Sequence, residues 1–132
     1  SVTGDIPYGT SEIAEFQDQI DEHDLYSPSE FLCHVGDIKS GSEPCSSDRY
    51  QIVAGILKSS QVPCYIVPGD NETTDCSDPT QGMQYWNQYL LGIEQNWPCS
   101  PATERQSGRR ENFAFVRNGI FIFGIWPPSS SS

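Results

Sequence analysis

Residues 31–37, Phe-Leu-Cys-His-Val-Gly-Asp, decide the fold, because they form a short apolar run that stops at a glycine and an aspartate. The dipeptide Gly36-Asp37 has a counterpart on each side, Gly4-Asp5 and Gly69-Asp70, so that successive aspartates are 32 and then 33 residues apart. Each pair follows a stretch that predicts a β-strand. We call the pairs the first, second and third Gly-Asp elbows, in chain order.

The segments between the elbows predict α-helices. Residues 11–24 place three apolar residues at helical spacing with acidic side chains on the opposite face, and residues 47–60 repeat the pattern. A third helix is expected from Thr80 to about Leu91. Strands that alternate with helices form right-handed βαβ units, so the predicted fold class is α/β, with a βαβαβ parallel sheet and flanking helices.

A β-hairpin is predicted at the C-terminal end of the chain. The apolar residues 113–116 and 120–126 flank Asn118-Gly119, a dipeptide that favours a type I′ turn. Residues 127–132, two prolines and four serines, then indicate a linker. Only the tail of a strand precedes the first elbow, so we expect residues 1–132 to be one partial domain that is cut at both ends.

The charge balance excludes two classes of partner. Lys and Arg total 7 against 18 Asp and Glu, which gives a formal net charge of −11. Such a chain repels nucleic-acid phosphates and anionic membranes. The longest apolar run, residues 120–126, is far shorter than a membrane span, so we expect no membrane insertion.

The chain has five cysteines and no Cys-x-x-Cys pair, which favours an oxidising environment, extracellular or in a secretory or lumenal compartment. Cys33 and Cys64 lie in predicted strands, where cysteine acts as a small buried apolar residue. Cys45, Cys76 and Cys99 lie in predicted loops and are the candidates for disulfides. The sequence leaves their pairing open.

The three elbow aspartates predict a binding site. The carboxyl ends of parallel strands meet at one edge of a sheet, and ligands bind there. Carboxylates held close together repel one another unless a cation lies between them, and oxygen ligands suit Mg²⁺, Mn²⁺ or Ca²⁺, or Zn²⁺ and Fe together with histidine. The alternative is that Gly-Asp serves only as a turn dipeptide.

Several blocks of the sequence resemble those of the calcineurin-like metallophosphoesterases. The resemblance implies a four-layer α/β/β/α sandwich in which two metal ions, of Mn, Fe, Zn or Mg, activate water to hydrolyse a phosphate ester. The resemblance runs over nearly all of the chain, and the blocks that carry it are Gly4-Asp5-Ile6-Pro7-Tyr8, Val35-Gly36-Asp37-Ile38-Lys39-Ser40-Gly41, Pro68-Gly69-Asp70-Asn71-Glu72, Thr74-Asp75-Cys76 and Glu111-Asn112-Phe113.

The resemblance implies a role for each elbow aspartate. Asp5 corresponds to a ligand of the first metal ion, and Asp37 to the carboxylate that bridges both ions at the catalytic centre. Asp70 stands where the family has an asparagine ligand of the second ion. Asn71 stands at a catalytic position, where the family has a histidine that assists the leaving group.

The sequence also departs from the family pattern. Pro7 replaces the histidine ligand of the first block, and the amide of Asn71 can donate a hydrogen bond but transfers no proton. The later histidine ligands are missing, since the chain has only His23 and His34. His23 is expected at the surface. His34 is either a ligand or, as we favour, a hydrogen-bonded histidine within the sheet.

Three basic residues are candidates for binding the phosphate of a small-molecule ester: Lys39, Arg109 and Arg110. Lys39 follows the second elbow, but a solvated loop lysine explains it equally well. The arginines lie in a predicted loop with Arg105, where ion pairs with neighbouring acids are the alternative.

Asn71-Glu72-Thr73 is a glycosylation sequon inside the third block. A glycan on Asn71 would stand at the predicted active edge and oppose catalysis. The alternative function is therefore a non-catalytic secreted or lumenal component that keeps the fold and assembles with protein partners.

Overall fold

The structure is a computed structural model that describes residues 1–127. The predicted linker beyond Pro127 lies outside the described residues. The elements in chain order are β1 (Val2–Thr3), α1 (Ser11–Tyr26), β2 (Leu32–His34), α2 (Ser47–Lys58), β3 (Cys64–Ile66), α3 (Pro79–Tyr89), a 3₁₀ turn (Ile93–Asn96), β4 (Glu104–Gln106), β5 (Arg109–Arg117) and β6 (Ile120–Gly124).

The first sheet is parallel and has the order β1-β2-β3, which confirms the predicted βαβαβ arrangement. The helices bury their apolar stripes against it. None of the helices in the described part of the chain is long and apolar enough to span a bilayer. The core includes Phe16 and Ile20 of α1, Tyr50, Val53 and Leu57 of α2, and Trp86 of α3.

The second sheet is antiparallel, with the order β4-β5-β6. Its hairpin turns at Asn118 and Gly119, whose φ angles of 51° and 78° are those a type I′ turn requires, as predicted. Strand β4 was not expected, because Glu104-Arg105-Gln106 contains no apolar residue that would mark a strand in the sequence. Phe115 of β5 stacks on Tyr65 of β3 with ring centroids 4.2 Å apart, so the two sheets pack together.

The ends of β2 and β3 approach so closely that only glycine fits between them. A Cβ on Gly36 would lie 2.3 Å from the backbone nitrogen of Gly69, and Gly36 has a φ of 93°, which L-residues rarely adopt. A Cβ on Gly69 would lie 2.2 Å from Oδ1 of Asp37. The glycines of the second and third elbows therefore permit the contact between them.

We predict that Gly36→Ala lowers the free energy of unfolding by about 2–4 kcal/mol, because it adds a steric clash to a strained φ. Gly55→Ala is the matched control, since Gly55 lies on exposed α2 backbone with no atom within 4 Å of the added Cβ. That control should stabilise the protein by about 0.5–1 kcal/mol. Urea unfolding of both variants measures the difference, and equal effects would contradict the close approach.

Candidate functional site

The structure brings the three elbow aspartates to one edge of the parallel sheet. Asp5, Asp37 and Asp70 come two, three and four positions after the ends of β1, β2 and β3, and the backbone N–H of Asp5 donates to the carbonyl oxygen of Gly36 at 3.1 Å. Asp5 and Asp37 have φ angles of 56° and 58°, a left-handed conformation that aspartate tolerates better than most residues. The first elbow therefore rests on the second, and the second on the third. We call this edge the carboxylate edge.

The carboxylates of the edge repel one another. Burial raises the pKa of Asp37, and the neighbouring carboxylates of Asp70 and Asp5 raise it further, against the opposing hydrogen bond from the backbone of Asn71. Protonation of Asp37 is thus easier than that of a solvated aspartate, first because of burial and then because of the neighbouring carboxylates. Repulsion between neighbouring carboxylates is in general reduced by protonation or by a cation placed between them.

Glu72 lies beneath the edge, and sequence reasoning assigned it no role. Its carboxylate is fully buried and accepts hydrogen bonds from the backbone N–H groups of Gly69 at 2.7 Å, Asp37 at 3.1 Å and Ile38 at 3.4 Å. Burial raises the pKa of Glu72 to about 7, although these hydrogen bonds oppose the shift. Glu72 thereby fixes the second elbow against the third.

Asn71 connects all three elbows. Its backbone N–H donates to Oδ1 of Asp37 at 3.2 Å, and its side-chain Nδ2 donates to the carbonyl oxygen of Lys39 at 3.0 Å and to the hydroxyl of Tyr8 at 3.4 Å. The Tyr8 hydroxyl in turn donates to Oδ1 of Asp5 at 3.1 Å. Burial and the hydrogen bond to Asp5 raise the pKa of Tyr8 to about 12, so the phenol is protonated at neutral pH.

A glycan on Asn71 would replace one of the two hydrogen atoms of Nδ2, the atom that donates to the carbonyl oxygen of Lys39 and to the hydroxyl of Tyr8. A modified Asn71 would therefore lose at least one of these two contacts.

A second link near the edge, the ion pair between Arg49 and Glu43, was also not predicted from the sequence. The Arg49 guanidinium donates to the carbonyl oxygens of Pro7 at 2.7 Å and Gly9 at 3.0 Å, and pairs with Glu43 at 2.7 Å. The other oxygen of Glu43 accepts from the backbone N–H groups of Ser40 and Gly9. The pair ties the loop after the first elbow to the loop after the second. No sequence signal marked it, because Arg49 follows the polar pattern of a helix start.

Two of the three residues predicted to bind phosphate are engaged within the chain. Lys39 is only 1% exposed, and its Nζ donates to the carbonyl oxygen of Ser40 at 2.9 Å. Burial lowers the pKa of Lys39, while Glu72 and Glu43 oppose the change. Arg109 donates to Glu111 at 3.1 Å and to the carbonyl oxygen of Trp126 at 2.6 Å. Arg110 is exposed on β5.

His34 has no nitrogen left for a metal ion. Nε2 lies 2.9 Å from the carbonyl oxygen of Ile6, and Nδ1 accepts from the backbone N–H of Gly36 at 3.0 Å. Burial lowers the pKa of His34 to about 4, so the ring is neutral. His34 is thus a hydrogen-bonded histidine within the sheet, which is the alternative we favoured from the sequence.

The side chains at the carboxylate edge are chemically suitable ligands for a cation, but their positions do not form a complete coordination site. The side chains at the edge supply oxygen atoms alone, which suits Mg²⁺ or Mn²⁺ better than Zn²⁺. Within residues 1–127, no group of three or more His, Cys, Asp or Glu side chains is placed to hold a metal ion. A bound ion would need water or further ligands to complete its coordination.

The disulfide pairing that the sequence left open is Cys45 with Cys76, whose Cα atoms are 5.9 Å apart. Cys33 and Cys64 are free thiols in their strands, as expected, and burial raises the pKa of both. The third candidate, Cys99, is exposed and makes no disulfide within the described residues.

Comparisons of the chain with protein-family models, with curated proteins and with solved structures find no match. The geometry of the carboxylate edge and the resemblance of its sequence blocks are therefore the observations that bear on function.

We predict that the stability advantage of the wild type over Glu72→Gln falls by up to about 3 kcal/mol between pH 4.5 and about pH 7. In that window the folded protein keeps a proton on Glu72 that the unfolded chain releases, so rising pH favours unfolding. The depressed pKa of His34 acts in the opposite direction between about pH 4 and 6.5, but equally in both proteins.

Urea unfolding of both proteins at a series of pH values measures this difference. Glu15→Gln, at an exposed position of α1, is the control and should change the slope little. A wild-type advantage that stays constant or grows with pH would show that Glu72 is ionised throughout.

Proposed function

We propose that this chain belongs to a phosphoesterase-like domain that hydrolyses phosphate esters with water activated by a divalent cation. The completed domain would be the four-layer sandwich that the sequence blocks imply, with a small-molecule phosphate ester as substrate. The observation that carries the proposal is the meeting of Asp5, Asp37 and Asp70 on adjacent elbows, where their mutual repulsion contributes to the raised pKa of Asp37.

Each residue of the edge has a task in this proposal. Asp5, Asp37 and Asp70 would hold the cation, with Asp37 between the other two because β2 is the central strand. A bound cation lowers the pKa of its water and supplies hydroxide at neutral pH. Glu72 and Asn71 keep the carboxylates in place.

The groups at the carboxylate edge limit which leaving group the phosphate ester can have. The amide of Asn71 transfers no proton, and both nitrogens of His34 are hydrogen-bonded within the fold. A leaving group that departs without a proton, such as a phenolate, therefore suits the edge better than a simple alkoxide. Aryl phosphate esters are accordingly the first substrates to test.

We predict that Asp37→Asn stabilises the cation-free protein and weakens its binding of Mn²⁺ by about tenfold or more. The substitution removes one of three repelling charges, while asparagine tolerates the left-handed conformation and its Oδ1 still accepts from the N–H of Asn71. Thermal unfolding without cation and calorimetry with Mn²⁺ or Mg²⁺ measure the two effects.

Asp18→Asn, on the exposed face of α1, is the control and should leave both quantities within error of the wild type. A wild type that binds neither cation, and that does not hydrolyse bis(4-nitrophenyl) phosphate in their presence, would end the proposal.

A second candidate is a non-catalytic extracellular or lumenal component of a protein assembly. It is favoured by strand β6, which forms an edge of the second sheet with its outer backbone groups unpaired by a described strand. Ile120, Phe121 and Phe123 on this strand, and Ile125 just after it, are each more than 60% exposed. Such an apolar edge marks an interaction site in many proteins.

The two candidates predict opposite results for protein secreted from a eukaryotic host. The enzyme requires an unmodified Asn71, because Nδ2 is bound within the edge, whereas the assembly component accepts a glycan there. Intact-mass measurement before and after glycosidase treatment decides between them. A fully glycosylated and soluble protein would favour the assembly component.

A further inference from the structure

The Cys45–Cys76 disulfide joins the loops that follow the second and third elbows. Both sulfur atoms lie against the same backbone group, the carbonyl oxygen of Asn71, at 3.6 Å from the Sγ of Cys45 and 3.9 Å from that of Cys76. Asn71 directly follows the third elbow, its backbone N–H donates to Asp37 of the second, and its side chain contacts Tyr8, whose hydroxyl donates to Asp5 of the first. The disulfide is therefore in direct contact with the residue that connects the carboxylate edge.

The surroundings of the disulfide leave it little room. A Cβ on Gly82 of α3 would lie 2.6 Å from the Sγ of Cys76 and 2.8 Å from the carbonyl oxygen of Glu72. The same carbonyl accepts a 2.6 Å hydrogen bond from the buried hydroxyl of Tyr50. Residues 72–76 are thus confined between the edge and the helices, and the sulfur of Cys76 is covered while Cys45 is half-buried.

We propose that this disulfide is a redox-controlled tie that sets the position of Asn71 and, through it, the geometry of the carboxylate edge. The proposal rests on the function proposed above only in its consequence for cation binding. Its structural part, the dependence of the elbow geometry on the oxidised pair, stands on the contacts of Asn71 and Gly82.

The reductant would be a dithiol. Its thiolate attacks the Sγ of Cys45, the reachable sulfur, and the bond between the two protein sulfurs breaks with Cys76 leaving as a thiolate that takes up a proton. The second thiol of the reductant then displaces the sulfur of Cys45. Two electrons and two protons pass to the protein, and the dithiol becomes a cyclic disulfide.

Reduction changes the packing as well as the covalent link. Two thiols occupy more space than one disulfide, and Gly82 leaves no room for the Cys76 side to move toward α3. The adjustment therefore falls on Cys45 and on the carbonyl of Asn71. Glu72 still holds the second and third elbows together after reduction, so we expect a local change at the edge and no global unfolding.

Hydrogen exchange with mass spectrometry, before and after treatment with dithiothreitol, tests the structural part. We expect amide exchange in residues 37–41 and 69–76 to quicken by about tenfold or more on reduction, while α1 exchanges at its original rate. Calorimetry with Mn²⁺ on the same samples should show an affinity lower by about tenfold in the reduced protein.

Two variants serve as controls. The double variant Cys45→Ser/Cys76→Ser should resemble the reduced protein and should not respond to the dithiol. Cys99→Ser, which removes an exposed free thiol, should respond as the wild type does.

The inference is overturned if exchange at both loops stays unchanged after the mass shows the gain of two hydrogens. The inference is equally overturned if the amides of every segment, including α1, exchange faster on reduction. The disulfide would then stabilise the fold as a whole and not the carboxylate edge in particular. An oxidised protein that binds no Mn²⁺ ends the proposed function instead, and the exchange result still decides the inference.

Discussion

The carboxylate of Glu72 is the interaction on which the rest of the site depends. The backbone N–H groups of Gly69, Asp37 and Ile38 lie beyond the ends of β2 and β3, and buried donors without a partner are costly. One buried side chain satisfies all three. Because the same carboxylate reaches two chain segments, it sets the distance between them, and the elbow glycines allow that distance to be short.

The aspartates of the edge are held in place mainly by residues that would not bind a cation themselves. Arg49 and Glu43 hold the loop after the first elbow, and Asn71 links the three elbows through three hydrogen-bonding partners, Asp37, Lys39 and Tyr8. In a site built in this way, the conformational entropy of the binding groups is lost during folding, before a ligand binds. In the function we propose, relief of the repulsion among its carboxylates then favours the binding of a cation.

Much of this could be predicted from the sequence because the relevant rules are local. Alternating strands and helices predicted the parallel sheet, Asn118-Gly119 predicted the hairpin turn, and the repeated Gly-Asp dipeptide predicted which aspartates meet. The rest depends on contacts between distant segments. Lys39 has the sequence context of a loop lysine but is buried, and the choice of Cys76 over Cys99 as partner for Cys45 follows from where two loops pass in space. Neither leaves a pattern in the chain.

The use of Asn71 inside the folded site has a consequence for the timing of biosynthesis. Sugar transfer to an Asn-x-Thr sequon requires a reachable amide nitrogen, and here that nitrogen is reachable only until Lys39 and Tyr8 dock onto it. In a cell that glycosylates such sequons, the transferase and the folding chain compete for the same atom. The fraction of molecules that carry the sugar would then record how quickly the third elbow closes on the first two.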